Sequence, residues 1–244
     1  MRNHSFGSYE ELAQEYYDPS RHPTCANFRE ASAILFRKWS SLIGSGQGLS
    51  CEVGPGRSLL AELITRGEFS YRKILLVDSS SSMLAHSRAF SIPGMQSIIG
   101  AASMLPLRQN SIEFLASSLG DPYNVLEFWR EAYRAMKPGG TVLFTTPSHE
   151  WATAFRKGLS AELKTKAEFV LGDGRKLYVQ SFILPEEEQL KLMAECGFQL
   201  VDRSSVRVSD LGDSPLSPKL LVKGSKELVM VSGYFCKKRT DAEK

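Results

Sequence analysis

Residues 49–61, Leu-Ser-Cys-Glu-Val-Gly-Pro-Gly-Arg-Ser-Leu-Leu-Ala, admit few structures. The run to Glu52 reads as a short buried strand, Gly54 and Gly56 as a turn, and a helix opens near Arg57 with Leu59, Leu60, Leu63 and Ile64 on its inner face. Glycine lacks a Cβ, so the turn can take positive φ and bring its backbone close to whatever lies across it. The following helix aims its free N–H groups at the same spot. Strand, glycine turn and helix together make a ligand cradle. A dinucleotide cradle wants a third glycine three positions after the second, where this chain has Leu59. Glu52, two residues before the turn, would repel a diphosphate and suits a ligand with a positive charge or a free amine.

Glu52-Val53-Gly54-Pro55-Gly56-Arg57-Ser58 resembles the first motif of class I S-adenosylmethionine-dependent methyltransferases, with Ser58 where a third glycine often stands. Arg72-Lys73-Ile74-Leu75-Leu76-Val77-Asp78 then reads as a parallel strand buried on both faces, ending in an acid. Ligands of open α/β sheets bind beyond the carboxyl ends of the strands, so Glu52 and Asp78 should flank one crevice. Asp78 follows Gly54 by 24 residues, about the interval for an acid that accepts hydrogen bonds from ribose. The alternative is an N-cap for the helix that starts in the serine run after it. Met83-Leu84 resembles the family's continuation.

Residues 98–107 align with a family pattern in which a glycine precedes an acid that holds the adenine amino group; Ala101 stands in the acid's place, followed by Ala102. The resemblance therefore implies adenine held by backbone groups and Ser103, between Met83 and Leu105. Residues 111–119 resemble the fourth strand, which puts Ser117, Ser118 and Gly120 at the reaction centre. Met136-Lys137-Pro138-Gly139-Gly140, leading into Thr141-Val142-Leu143-Phe144, resembles the helix stop before the family's fifth strand. The implied donor is S-adenosylmethionine, held by Glu52, Gly54, Gly56, Asp78, Ser79, Met83, Ala101, Ala102, Ser117 and Ser118, with no metal. The implied fold is α/β: a Rossmann-like, seven-stranded, mostly parallel sheet with helices on both faces.

Around that core, residues 1–48 form an N-terminal helical cover, with helices expected over 9–17 and 25–43 and a rigid two-proline connector between. Residues 49–147 form the cofactor-binding core, 148–184 a small inserted helix and hairpin cap, and 185–244 the C-terminal completion of the sheet. A helix is expected over 150–163, a mobile loop over 210–219, and a last antiparallel strand over 227–237. By analogy with related methyltransferases, Tyr16, Tyr17 and His22 of the cover face the acceptor.

Methyl transfer needs a nucleophile held in line, about 3–3.5 Å from the methyl carbon, and no covalent enzyme intermediate. Where the acceptor must lose a proton, His149 and His22 are the candidate bases, and Tyr123, Tyr16 and Trp151 offer aromatic walls for a sulfonium. Asp121-Pro122-Tyr123-Asn124 resembles the Asp-Pro-Pro-Tyr clamp of adenine amino-methyltransferases without its second proline. The plain reading is that acid and proline begin a helix over 123–136. A net charge of +3 demands neither nucleic acid nor membrane, and no segment reaches the roughly 18 apolar residues of a bilayer span. Four cysteines without a C-x-x-C pair argue against zinc and a disulfide framework and for the cytoplasm. The acceptor expected is a small molecule; a nucleobase or nucleic acid is the alternative, and a catalytically idle cofactor-binding module a third.

Overall fold

The computed structural model describes residues 5–43, 48–70, 73–221 and 226–240. Strand β1 (Ser5–Phe6), helix α1 (Tyr9–Leu12) and helix α2 (Pro23–Trp39) precede the sheet. The first half of the sheet follows as β2 (Leu49–Val53), α3 (Leu59–Thr65), β3 (Lys73–Asp78), α4 (Ser81–Ala85) and β4 (Met95–Ile99). Next come β5 (Ile112–Ser117), α5 (Leu126–Ala135), β6 (Met136–Pro147) and α6 (His149–Phe155). The chain closes with β7 (Lys166–Val170), β8 (Lys176–Gln180), α7 (Glu186–Glu195), β9 (Phe198–Arg207) and β10 (Val229–Lys238).

Seven strands form one sheet in the order β4-β3-β2-β5-β6-β10-β9, with β10 antiparallel to both β6 and β9. The chain runs outward from β2 to β4, then returns to lay β5 on the other side of β2. Strand order therefore reverses between β2 and β5, which opens a crevice beyond their carboxyl ends. Alternation within the strands divides the core in two. Phe114, Ala116 and Leu143 face the layer of α2, α3 and α6, whereas Ile112, Leu115, Val142 and Phe144 face Phe128, Trp129 and Met193 of α5 and α7.

A second sheet, β1-β8-β7, carries the hairpin of the cap. Its third strand comes from the N-terminus: β1 pairs parallel with β8, and Gly7 N–H donates to the Tyr178 carbonyl at 3.2 Å. Cover and cap are thus one unit.

Four expectations need correction. The first helix ends at Leu12, and turns carry the chain to α2, which starts at Pro23, where a proline fits the first helical turn. Residues 121–123 form only a single 3-10 turn, because Val125 resumes extended backbone before α5. After Phe155 no helix continues; Arg156 turns back to donate to the Lys164 and Ser181 carbonyls. The 210–219 loop is tied down rather than loose, since Asn27 of α2 donates to the Pro215 carbonyl and accepts from Ser217 N–H, both at 2.9 Å.

Candidate functional site

Gly54 (φ +61°) and Gly56 (φ +49°) both lie in the left-handed region, and each is overhung by a tyrosine. The Tyr123 hydroxyl donates to the Val53 carbonyl at 2.6 Å and lies 2.9 Å from Ser117 Oγ. The Tyr17 hydroxyl accepts from Arg57 N–H at 2.7 Å, its ring edge-on to His86. Asp78 stands opposite, one carboxylate oxygen on Gly56 N–H and the other on Ser80 N–H, each at 2.9 Å. Burial lifts the Asp78 carboxyl above its ordinary range, against the pull of those amides.

Gly54, Tyr17, Tyr123 and Asp78 border one cavity of about 970 Å³, which runs from Ala101, Ala102 and Ser103 past Pro55 to Pro122 and Gln180. The cover forms one of its walls. Glu10 latches α1 to the start of α4, accepting from Ser80 Oγ at 2.5 Å and from Ser82 N–H at 3.2 Å. The serine hydroxyls and that amide hold the Glu10 carboxyl down at about 2. His86 Nε2 lies 2.7 Å from the Ala13 carbonyl, a second tie.

Gly54, Asp78, Ser79, Met83, Ala101, Ala102, Ser118 and Tyr123 all border the cavity. Glu52 does not face it. Its carboxylate is fully buried, accepts from Leu59 N–H at 3.1 Å, Leu60 N–H at 3.3 Å and the Ser58 hydroxyl, and so caps α3 from inside the protein. Burial raises this carboxyl too. Ser117 is equally buried, spent on Tyr123, and Gly56 lies beneath Tyr17.

Of the candidate catalytic groups, Tyr123 alone reaches the cavity; His22 and His149 do not border it. The His22 ring is buried edge-on to Phe169, with Nε2 3.3 Å from Glu15. His149 is exposed at the start of α6, 3.4 Å from Thr153 Oγ1. Trp151 packs between Phe28 and Phe155 as core. Sequence spacing gave no hint of Tyr9 and Glu10, because only the folding-over of the cover brings them to the cavity.

Asp121 is buried behind the cavity wall, accepting from Ser181 Oγ at 2.6 Å, while Arg156 donates to the same hydroxyl at 2.7 Å. Burial pushes its carboxyl up to about 6. A folded-state value above the unfolded one contributes stability that is full below pH of about 4 and lost as pH rises through about 6. At 1.36 kcal/mol per unit the loss is about 3 kcal/mol. Urea unfolding from pH 4 to 7 is expected to show that decline in the wild type relative to Asp121→Asn; parallel curves would contradict it.

Strand order, a glycine turn at the switch point and an acid ending the neighbouring strand define the class I methyltransferase fold. Residues 51–144 match the family model of the methyltransferase domain. The matched segment is thus similar to a methyltransferase domain, on a fold of class I. An S-adenosylmethionine-dependent methyltransferase from Mesorhizobium loti superposes with a TM-score of 0.62 at 16% identity, over 86% of this chain and 99% of that one. A putative methyltransferase of Haloferax volcanii, solved with the Trm112 methyltransferase activator, gives 0.67 at 12% identity, over 96% and 100%. The DhpI–SAM–HEP complex gives 0.62 at 17%, over 93% of each chain. No curated relative matches the sequence. Among the described residues, no helix is long and apolar enough to cross a membrane.

Proposed function

We propose that the protein moves the methyl group of S-adenosylmethionine onto a small-molecule acceptor in the cytoplasm. The observation that carries this reading is the cavity of about 970 Å³, walled by cover, cap and the ends of the central strands. It stands at the top of the roughly 300–1,000 Å³ that ligand pockets span, enough for a nucleoside-sized donor and a second small molecule. The residues present fit that donor: a carboxylate for ribose hydroxyls at Asp78, small backbone-exposing residues for adenine at Ala101 and Ala102, and the strand-end turn at Gly54. S-adenosylmethionine supplies an electrophilic methyl on a cationic sulfur. The chain's own work is to place an acceptor in line with it and to exclude water, which the cover does from above and Tyr123 from the turn. Four free thiols, Cys25, Cys51, Cys196 and Cys236, support a reducing compartment.

Of the four residues that motivate the nucleobase alternative, Pro122 and Tyr123 border the cavity, whereas Asp121 and Asn124 are engaged elsewhere. Asp121 is engaged with Ser181, and the Asn124 amide is taken by Gln189, Trp129 and the Phe182 carbonyl. Calorimetry is expected to show S-adenosylhomocysteine binding and no comparable NAD binding. Asp78→Ala is expected to lower that affinity at least about tenfold, about 1.4 kcal/mol. Labelled methyl should then pass from the donor to a small-metabolite fraction. Transfer to nucleic acid instead, or tight NAD binding with no response to the homocysteine product, would reject the proposal.

A further inference from the structure

Glu10 and Asp78 both border the cavity, and one residue bridges them. Ser80 donates its N–H to Asp78 Oδ1 at 2.9 Å and its hydroxyl to Glu10 Oε2 at 2.5 Å. That shared residue keeps the two carboxylates within about 9 Å, no more than a Debye length at about 0.1 M salt. The arginines that border the cavity, Arg29, Arg37, Arg57 and Arg66, each end on Glu62 or Glu68. Neither Asp78 nor Glu10 enters an ion pair among the described residues, so this wall carries two negative charges balanced only by neutral donors.

The donors that a phosphate would seek here are already spent. A helix start draws anions because its N–H groups lack acceptors. At α4 the N–H of Ser80 is held by Asp78, that of Ser82 by Glu10 and that of Met83 by Ser80 Oγ. Gly56 N–H, in the turn opposite, lies on Asp78 Oδ2. Ribose hydroxyls are the reverse case, since they donate and each Asp78 oxygen keeps a lone pair to accept. Glu52, the acid from which repulsion of phosphate was expected, is sealed beneath α3 and cannot supply it.

We propose, resting on the S-adenosylmethionine reading above, that Asp78 and Glu10 form a selectivity filter at the ribose: Asp78 receives the hydroxyls, and Glu10 rejects nucleosides phosphorylated at the 2′ or 3′ position. Glu10 is the specificity-determining residue, and its hold on the hydroxyls of Ser80, Ser81 and Ser82 fixes its charge at the cavity. Dinucleotide sites that take a 2′-phosphate set an arginine near the ribose, where this chain brings a second acid. The ligand class is an adenine nucleoside with both ribose hydroxyls free, which S-adenosylmethionine satisfies.

Calorimetry with adenosine, adenosine 2′-phosphate and adenosine 3′-phosphate tests this, with S-adenosylhomocysteine as the control. The wild type is expected to prefer adenosine to both phosphates by at least about tenfold at low salt. Most of that preference should vanish at about 0.5 M salt, where the charges are screened. Glu10→Gln keeps an oxygen for the serines and removes the charge. In that variant the ratio of phosphate to adenosine affinity is expected to rise about tenfold for one or both phosphates, a ratio that a merely loosened cover would leave unmoved. Equal wild-type affinity for adenosine and its phosphates, an unchanged ratio in Glu10→Gln, or S-adenosylhomocysteine binding without adenosine binding overturns the proposal. Should the variant fold poorly, the wild type decides, because a preference that ignores salt overturns it too. Failure of the wild type to bind S-adenosylhomocysteine would instead strike the underlying S-adenosylmethionine reading.

Discussion

Replacing Glu52 by alanine is expected to cost about 3–5 kcal/mol of folding stability, the magnitude for removing one partner of a buried charge-assisted network. Leu59 and Leu60 N–H and the Ser58 hydroxyl all end on this one carboxylate. Without it, Leu59 and Leu60 N–H are left buried with no acceptor, and only Ala61 N–H keeps its bond to the Ser58 hydroxyl. Glu52→Gln keeps the shape but offers a single acceptor oxygen and turns an NH₂ toward the same donors, so about 1–3 kcal/mol is expected. Urea unfolding at pH 7 measures both; a loss under about 1 kcal/mol for the alanine variant would show that the carboxylate is not what holds α3.

Replacing Gly54 by alanine is expected to damage fold and site together, at about 2–4 kcal/mol. The left-handed φ of +61° accounts for about 1–3 kcal/mol in any residue with a Cβ. The added methyl would also fall on the Tyr123 hydroxyl and 2.6 Å from its Cε1. The ring must move, giving up its bonds to Val53 and Ser117. Thermal unfolding should drop by several degrees and S-adenosylhomocysteine binding should be lost. If the clash is a real part of the cost, Tyr123→Leu in the same chain should recover some stability, a coupling that a double-mutant cycle reads directly. Purely additive losses would assign the whole effect to the backbone.

The sheet was legible because its signals are local. The alternating core residues of β5 and β6 and the acid closing β3 sit within single elements, where period and terminus can be read. The place of Asp78 and Ala101 at the cavity was legible for the same reason, being tied to strand ends by short spacings. Glu52 misled because a sequence shows that an acid precedes a turn but not which way it points; the ligand it satisfies is the backbone of its own α3. The far wall of the cavity was not legible. Tyr9 and Tyr123 border the same cavity from 114 residues apart in the chain, and His22 and His149 read as bases only until packing sends one against Phe169 and the other to the surface.

The position of β10 bears on how the molecule is made on the ribosome. It is the last described strand, yet it lies between β6 and β9 rather than at an edge, and Lys238 near its end drives a buried ammonium onto the Tyr133 and Met136 carbonyls and the Asn110 amide. A nascent chain that has emerged only through residue 207 can pair β2 to β6 but has no partner for β9. Assembly of the β2–β6 half can come first, while β9 must wait, unpaired and with Phe198 and Val206 uncovered, until residues 229–238 clear the tunnel. Synthesis that stalls in that interval exposes a sheet edge at β6, which gives a chaperone or a protease a defined window in which to act.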